Sequence, residues 1–318
     1  MKKICLLFCL ALLAAPAFAA DVPVTVAHAT WVGYGPLHIA KEQGYFKDLG
    51  LDVTLTIIED EAQYAAALAS GNIDGLGNVI DREVIHFAKG TPEKVIFAMD
   101  ESTGGDGVIA AGGINAVADL KGKTVALDKS STSYFFFLSI LDKHGLAEED
   151  VTIHEMGASD AGAAFVAGKI DAAVTWEPWL TNASQREGGH VLVSSKDMPG
   201  TIVDVFVMNA DFVAKHPEVP AKMAKAWFRA VEWYRANPDQ GNAIMGKAMG
   251  LSADDMADMA SGVTFKGAAE NLAFVKKGTG LFEVADRAIR FWKEKGVIDG
   301  EMTADDLISE EYVIEAAK

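Results

Sequence analysis

The stretch 161–176, AGAAFVAGKIDAAVTW, decides how this chain is read, because an earlier stretch, 62–80, AQYAAALASGNIDGLGNVI, follows the same plan. Each is an alanine-rich helical run, a glycine cap (Gly71 and Gly168), a Gly-x-Ile-Asp step and a short apolar strand. A local βαβ habit shared by unrelated units gives a single match of this kind too, so the pair is weaker than a repeat array. Outward from the first copy, 22–29 reads as a strand and 36–49 as an amphipathic helix ended by Gly50. Then 51–58 reads as a strand, 61–70 as a helix and 73–79 as a strand. That order implies parallel strands joined by crossover helices, an α/β fold.

The two copies are separated by a glycine-dense segment, 102–113, with Gly104, Gly105, Gly107, Gly112 and Gly113. A turn and a new strand follow at 119–126, so the chain is expected to cross here from one lobe to another. A second apolar strand, 202–208, is expected to cross back, and everything after Asp211 is helical in pattern. The expected organisation is a leader at 1–20, a first lobe made of 21–108 and 205–318, and a second lobe at 109–204. Each lobe is a mostly parallel sheet flanked by helices. Two crossings place a cleft between the lobes, and such a cleft can close like a hinge around a ligand.

The chain has 318 residues, a length that suits two domains. It carries 45 acids against 28 bases, a formal charge of −17. Phosphate backbones and anionic lipid repel such a surface, so nucleic-acid binding is not expected. Half the residues are apolar, enough for a real core. The only cysteines are Cys5 and Cys9, inside a segment that opens with Lys2 and Lys3, continues apolar over 4–13 and ends in Ala17-Phe18-Ala19. That is the grammar of an export signal. The run is too short to span a bilayer, and Phe8 before Cys9 argues against a lipid anchor. The mature chain is then exported and free of cysteine, which excludes disulfides, thiol nucleophiles and thiolate metal sites.

Four constellations could carry chemistry. Trp31 and Tyr34 sit in a glycine-flexed loop after the first strand, where open α/β sheets place ligands. They could wall a small solute or simply pack under the next helix. Ser131, Thr132 and Ser133 lie at a strand–helix junction, where free N–H groups and hydroxyls make an anion site or merely cap the helix. Trp176 and Glu177 follow the second-copy strand and offer a ring face and a charge to a cation, or a plug for the lobe base. Asp81 and Asp204 are acids at or within apolar strands, costly unless paired with a basic side chain or a ligand amine. For Asp81 the adjacent Arg82 offers a structural pair. The seven histidines are scattered without ligand spacing, G-x-S-x-G and Walker signatures are missing, and no metal, cofactor or catalytic group is expected.

These residues resemble a known family, the periplasmic solute-binding proteins of ABC importers in the nitrate/sulfonate/taurine group, related to the pyrimidine-precursor binders of thiamine supply. The carriers are GPLHIAKEQGYF at 35–46, ALASGNID at 67–74, DLKGK at 119–123 and STSY at 131–134. GKIDAAVTWEP at 168–178, and DVFV at 204–207 with His216-Pro217-Glu218, complete them. The resemblance implies a two-lobed type II binding-protein fold with no enzymatic activity. It also implies a monomeric periplasmic receptor whose partners are a small solute, an ABC permease and, through it, an ATPase. In the family's taurine binders, helix-start hydroxyls hold the sulfonate while a tryptophan and a strand acid handle the amine. Those roles fall on Ser131, Thr132, Trp176 and Asp204. Ile80-Asp81, where sulfonate binders tend to carry small hydroxyl residues, and Glu177 after the tryptophan depart from that pattern. Both departures add negative charge, favouring an amine-containing solute such as taurine or a similar aminosulfonate over a bare anion. The alternatives are a cationic or neutral nitrogenous solute, including a thiamine-pyrimidine precursor, a sensing lobe, or an enzyme on the same fold.

Overall fold

Residues 20–318 are described by a computed structural model. The expected export segment therefore lies outside the described residues apart from Ala20. Eleven strands run along the described chain: β1 (Val22–His28), β2 (Leu51–Ile57), β3 (Gly75–Val79), β4 (Glu93–Ser102), β5 (Asp106–Ala110), β6 (Thr124–Leu127), β7 (Thr152–Glu155), β8 (Ala172–Trp176), β9 (His190–Ser194), β10 (Val203–Asn209) and β11 (Val263–Phe265). They form two sheets, ordered β11-β4-β10-β3-β1-β2 and β7-β6-β8-β5-β9. In the first, β1, β2, β3 and β4 point one way, and β10 and β11 oppose them. In the second only β5 is opposed to the rest. Both sheets are thus mostly parallel in direction. The strands that oppose their neighbours at each centre, β10 and β5, are those that follow a crossing between lobes.

The two copies read from the sequence occupy equivalent places. Helix Glu61–Ala69 leads into β3 and helix Ala158–Val166 into β8, and each following strand lies beside the first strand of its own parallel unit, β1 or β6. The Asp of each Gly-x-Ile-Asp step also does the same job. Asp74 accepts the Thr25 N–H of β1 at 2.7 Å, and Asp171 accepts the Thr124 N–H of β6 at 3.0 Å. The expected helix at 36–49 is two helices, Gly35–Glu42 and Tyr45–Asp48, because Gly44 adopts a φ of 73° that ends the first. β11 lies in a region expected to be wholly helical; three residues are too few for alternation to show. β5 belongs entirely to the second sheet and β10 entirely to the first. The expected lobe boundaries at 108/109 and 204/205 therefore fall inside strands, and the crossings themselves occupy 103–105 and 195–202.

Each sheet buries its own core. Phe97 and Phe206 stack at 5.1 Å in the first, against Trp227. Phe136, Phe137 and Leu141 cover Val125 and Val174 in the second. Helix Leu281–Glu294, from the C-terminal part, reaches across to the second lobe. Phe291 meets Phe135 edge-on at 4.9 Å and Trp292 stacks near Tyr134. No helix among the described residues is long and apolar enough to cross a membrane.

Candidate functional site

A cleft of about 600 Å³, part of it open to solvent, lies between the two sheets. Its walls come from the segments that follow β1, β2 and β6, from Tyr64 of helix Glu61–Ala69, from the C-terminal ends of β3 and β8, and from the starts of β5 and β10. This is the place open α/β sheets reserve for ligands.

The first lobe contributes Trp31, Tyr34 and Asp204, together with Tyr64, Asn78 and Glu59. The second contributes Ser131, Thr132 and Trp176, together with Asp106 and Asp128. Three of the expected site residues are not on the lining. Ser133 is buried inside the helix Thr132–Lys143. Asp81 stands one layer behind the wall, in the first turn of helix Ile80–Ala88 rather than at a strand end. Glu177 accepts the N–H and hydroxyl of Thr181, at 3.1 and 2.7 Å, and so caps the helix Trp179–Ser184. Its orientation is explained without a ligand.

The aromatic walls are anchored by hydrogen bonds. Trp31 donates its indole N–H to Asp100 at 3.3 Å, and Tyr34 donates its hydroxyl to Asp204. Tyr64 donates to the Gly77 carbonyl at 2.6 Å, and Trp176 reaches across the cleft to the Thr30 carbonyl at 3.3 Å. The rings are therefore fixed faces rather than loose covers, and Trp176 joins one lobe to the other.

The hydroxyls at the helix start are already engaged. Ser131 accepts the Ser133 N–H and donates to the Asp128 carbonyl at 3.1 Å. Thr132 donates across the lobe boundary to Asp81 at 2.9 Å. Asp128, in turn, accepts the N–H and hydroxyl of Ser130, at 2.7 and 2.6 Å.

The acids are the opposite case. Asp81 keeps one buried carboxylate oxygen without a hydrogen-bond partner, and Asp100 and Asp204 each keep one that is bonded only through a proton shared between the two carboxyls. Burial pushes Asp81 up to about 6, Asp100 up to about 7 and Asp106 up to about 8. Burial raises Asp204 well above the carboxylate range too, and the charge of Asp100 adds to it. No Lys, Arg or His is among the lining residues. Arg82 acts on Asp81 and Lys266 on Asp100 from outside the lining; buried carboxylates that outnumber such cations are costly unless they hold protons or receive a positive ligand.

Asp100, Asp106 and Tyr64 were not among the residues expected from the sequence. Asp100 follows an apolar run, 95–99, whereas Asp204 lies inside one, 202–207, and the β4–β10 register brings the two together. Asp106 sits among the glycines read as a hinge, where only the pairing of β5 with β8 brings it opposite Trp176.

The sequence profile of the family described as NMT1/THI5 like matches residues 31–241. The chain belongs to the NMT1/THI5-like family. Among its relatives is the taurine-binding periplasmic protein of Escherichia coli (strain K12), 29% identical over 268 residues, covering 80% of this chain and 82% of that one. Two solved structures share the fold. The periplasmic aliphatic sulphonate binding protein SsuA from Escherichia coli has a TM-score of 0.77 at 20% identity, covering 93% of this chain and 100% of that one. The periplasmic nitrate-binding protein NrtA from Synechocystis PCC 6803 has a TM-score of 0.73 at 16% identity, covering 93% and 88%. All three are binding proteins, and the two solved ones show the fold that this chain shares.

Proposed function

We propose that the chain is the extracytoplasmic solute-binding subunit of an ABC import system, closing on a small amine-bearing or cationic solute and passing it to a permease. The observation that carries this reading is the charge of the cleft. Asp204 and Asp106 line it between fixed aromatic faces, with no cationic side chain on the lining. A ligand ammonium supplies the missing charge, and an aromatic face over it adds about 0.5–2 kcal/mol. The taurine-binding relative supports the amine end of this reading. A sulfonate end gains less here, because the hydroxyls of Ser131 and Thr132 are spent inside the protein. A cation without an anionic end therefore fits better than a zwitterion, and a bare oxyanion fits worst.

Delivery to a permease and its ATPase, export by the 1–20 segment and a periplasmic location follow from the same reading. Titration calorimetry against choline, ethanolamine, an aminopyrimidine, taurine, ethanesulfonate and nitrate tests the ligand class. The expected order places the cations and amines first and taurine behind them, with no heat from nitrate or ethanesulfonate. Tight oxyanion binding with silent amines overturns the reading.

A further inference from the structure

A second constellation of buried donors lies behind the cleft wall. Glu83 and His86 are one helical turn apart on helix Ile80–Ala88, so both project from the same face. Glu93, the first residue of β4, meets them there, and one ligand-type atom from each of the three lies within 4.8 Å of the other two. His86 Nδ1 is 3.0 Å from Glu83 Oε1. Donor atoms around a tetrahedral ion with bonds of 2.0–2.2 Å sit about 3.4 Å apart, so the cluster is close to the size such an ion requires.

All three residues are buried, Glu83 and Glu93 to 0% and 1% exposure. Glu83 Oε2 and both Glu93 oxygens face no donor, and the two carboxyls bond each other only where one keeps a proton. Two carboxylates that face each other away from water need a positive partner or a held proton. Lys94, next to Glu93, is turned away to the Asp306 carbonyl at 2.6 Å.

We propose that Glu83, His86 and Glu93 form a binding site for one divalent transition-metal ion of the Zn²⁺/Mn²⁺ class. Two carboxylates and an imidazole favour such an ion over Ca²⁺ or Mg²⁺, which take all-oxygen sets. The donors join a helix to the start of the next strand, so the ion would tie these elements together. It also stands one hydrogen bond from the cleft: Asn78, on the lining, donates its side-chain N–H to Glu83 at 2.6 Å. That bond fixes the orientation of a ligating carboxylate, as outer partners of metal ligands do. The histidine positions alone gave no hint of this site. The pattern is Glu83-x-x-His86, completed by an acid across a turn. The inference does not depend on the identity of the solute.

The test uses the mature chain without an affinity tag, stripped with EDTA, equilibrated with Zn²⁺ or Mn²⁺ and desalted. Elemental analysis is expected to find about one ion per chain, and the melting temperature to rise by several degrees over the stripped protein. Glu93→Gln, which keeps the shape and removes the charge, is expected to lose both effects. Retention of no ion overturns the site, and so does an unchanged count in Glu93→Gln. Co²⁺ loaded into the unmutated chain gives a readout independent of any variant. Intense visible bands of a low-coordinate ion support the site, and the weak spectrum of hydrated cobalt overturns it.

Discussion

Asp204 shows how one side chain can work against folding and for binding. It sits within β10, paired with Val79 on one side and Asp100 on the other, at 1% exposure. Tyr34 satisfies one of its oxygens, and the second is satisfied only by a proton shared with the Asp100 carboxyl. Replacing it by Asn keeps the shape and the Tyr34 contact while removing the charge. Losing one partner of a buried charged contact costs about 2–5 kcal/mol of binding, so affinity for an amine solute is expected to fall at least about 30-fold in calorimetry. The melting temperature of the ligand-free variant should hold or rise, because a repulsion with Asp100 is relieved. Unchanged affinity removes Asp204 from the site. The residue was legible in the sequence as an acid in an apolar strand, whereas its partner Asp100 needed the β4–β10 register to be recognised.

Among the elements, the two crossings between lobes are joined by the Ser195 hydroxyl and by the Ser102 N–H, which donates to the Ile202 carbonyl at 3.1 Å. Ser195, at 0% exposure on the return crossing, bonds the Ser102 hydroxyl at 2.7 Å and accepts the Gly104 N–H of the outward crossing at 2.8 Å. Gly104 itself has a φ of 143°, open to glycine and strained for other residues. Ser195→Ala leaves the half-buried Gly104 N–H and the buried Ser102 hydroxyl without their partner, a loss of about 1–3 kcal/mol. Urea unfolding should show a lower midpoint with an unchanged slope; a midpoint equal to that of the parent removes this role. The crossings were legible as glycine density and an apolar return strand. Ser195 was not, since one serine among many becomes distinctive only when two distant segments meet. The same reason hid β11, whose pairing with β4 is supplied by the fold rather than by its three residues. The repeated helix–Gly-x-Ile-Asp–strand unit was readable because its signal is local, and each Asp serves only its neighbouring strand. Asp81 was read as a possible partner of the adjacent Arg82. The Arg82 charge does act on it, and it is also bonded to Thr132 of the other lobe, a contact that no local pattern encodes.

For the molecule as a whole, the acidity has two parts. Most of the charge of −17 is on the surface, but Asp81, Asp100, Asp106 and Asp204 are buried where the lobes meet. In the unfolded chain these groups ionise near 4; in the folded one Asp100 and Asp106 hold their protons to about 7 and about 8. The folded state therefore binds more protons, and this stabilisation, complete below pH 4, is lost as pH rises through the folded values. Two buried histidines act the other way. His28 and His38 are lowered by burial, His38 to about 3, so their contribution is lost only as pH falls below about 6.5. Above that pH the carboxylates act unopposed by them, and Glu93, when no ion is held, pulls the same way. Between pH 6.5 and 8.5 the ligand-free protein should lose on the order of 1–3 kcal/mol of stability, seen as a falling melting temperature at constant ionic strength. A permanent cation such as choline, bound in the cleft, supplies the charge that the protons otherwise provide. It should bind more tightly as pH rises across this window and flatten the curve. A melting temperature that stays level or climbs from pH 6.5 to 8.5 without ligand contradicts the buried-carboxylate account. A fall that choline leaves untouched keeps that account and removes the cation from the cleft.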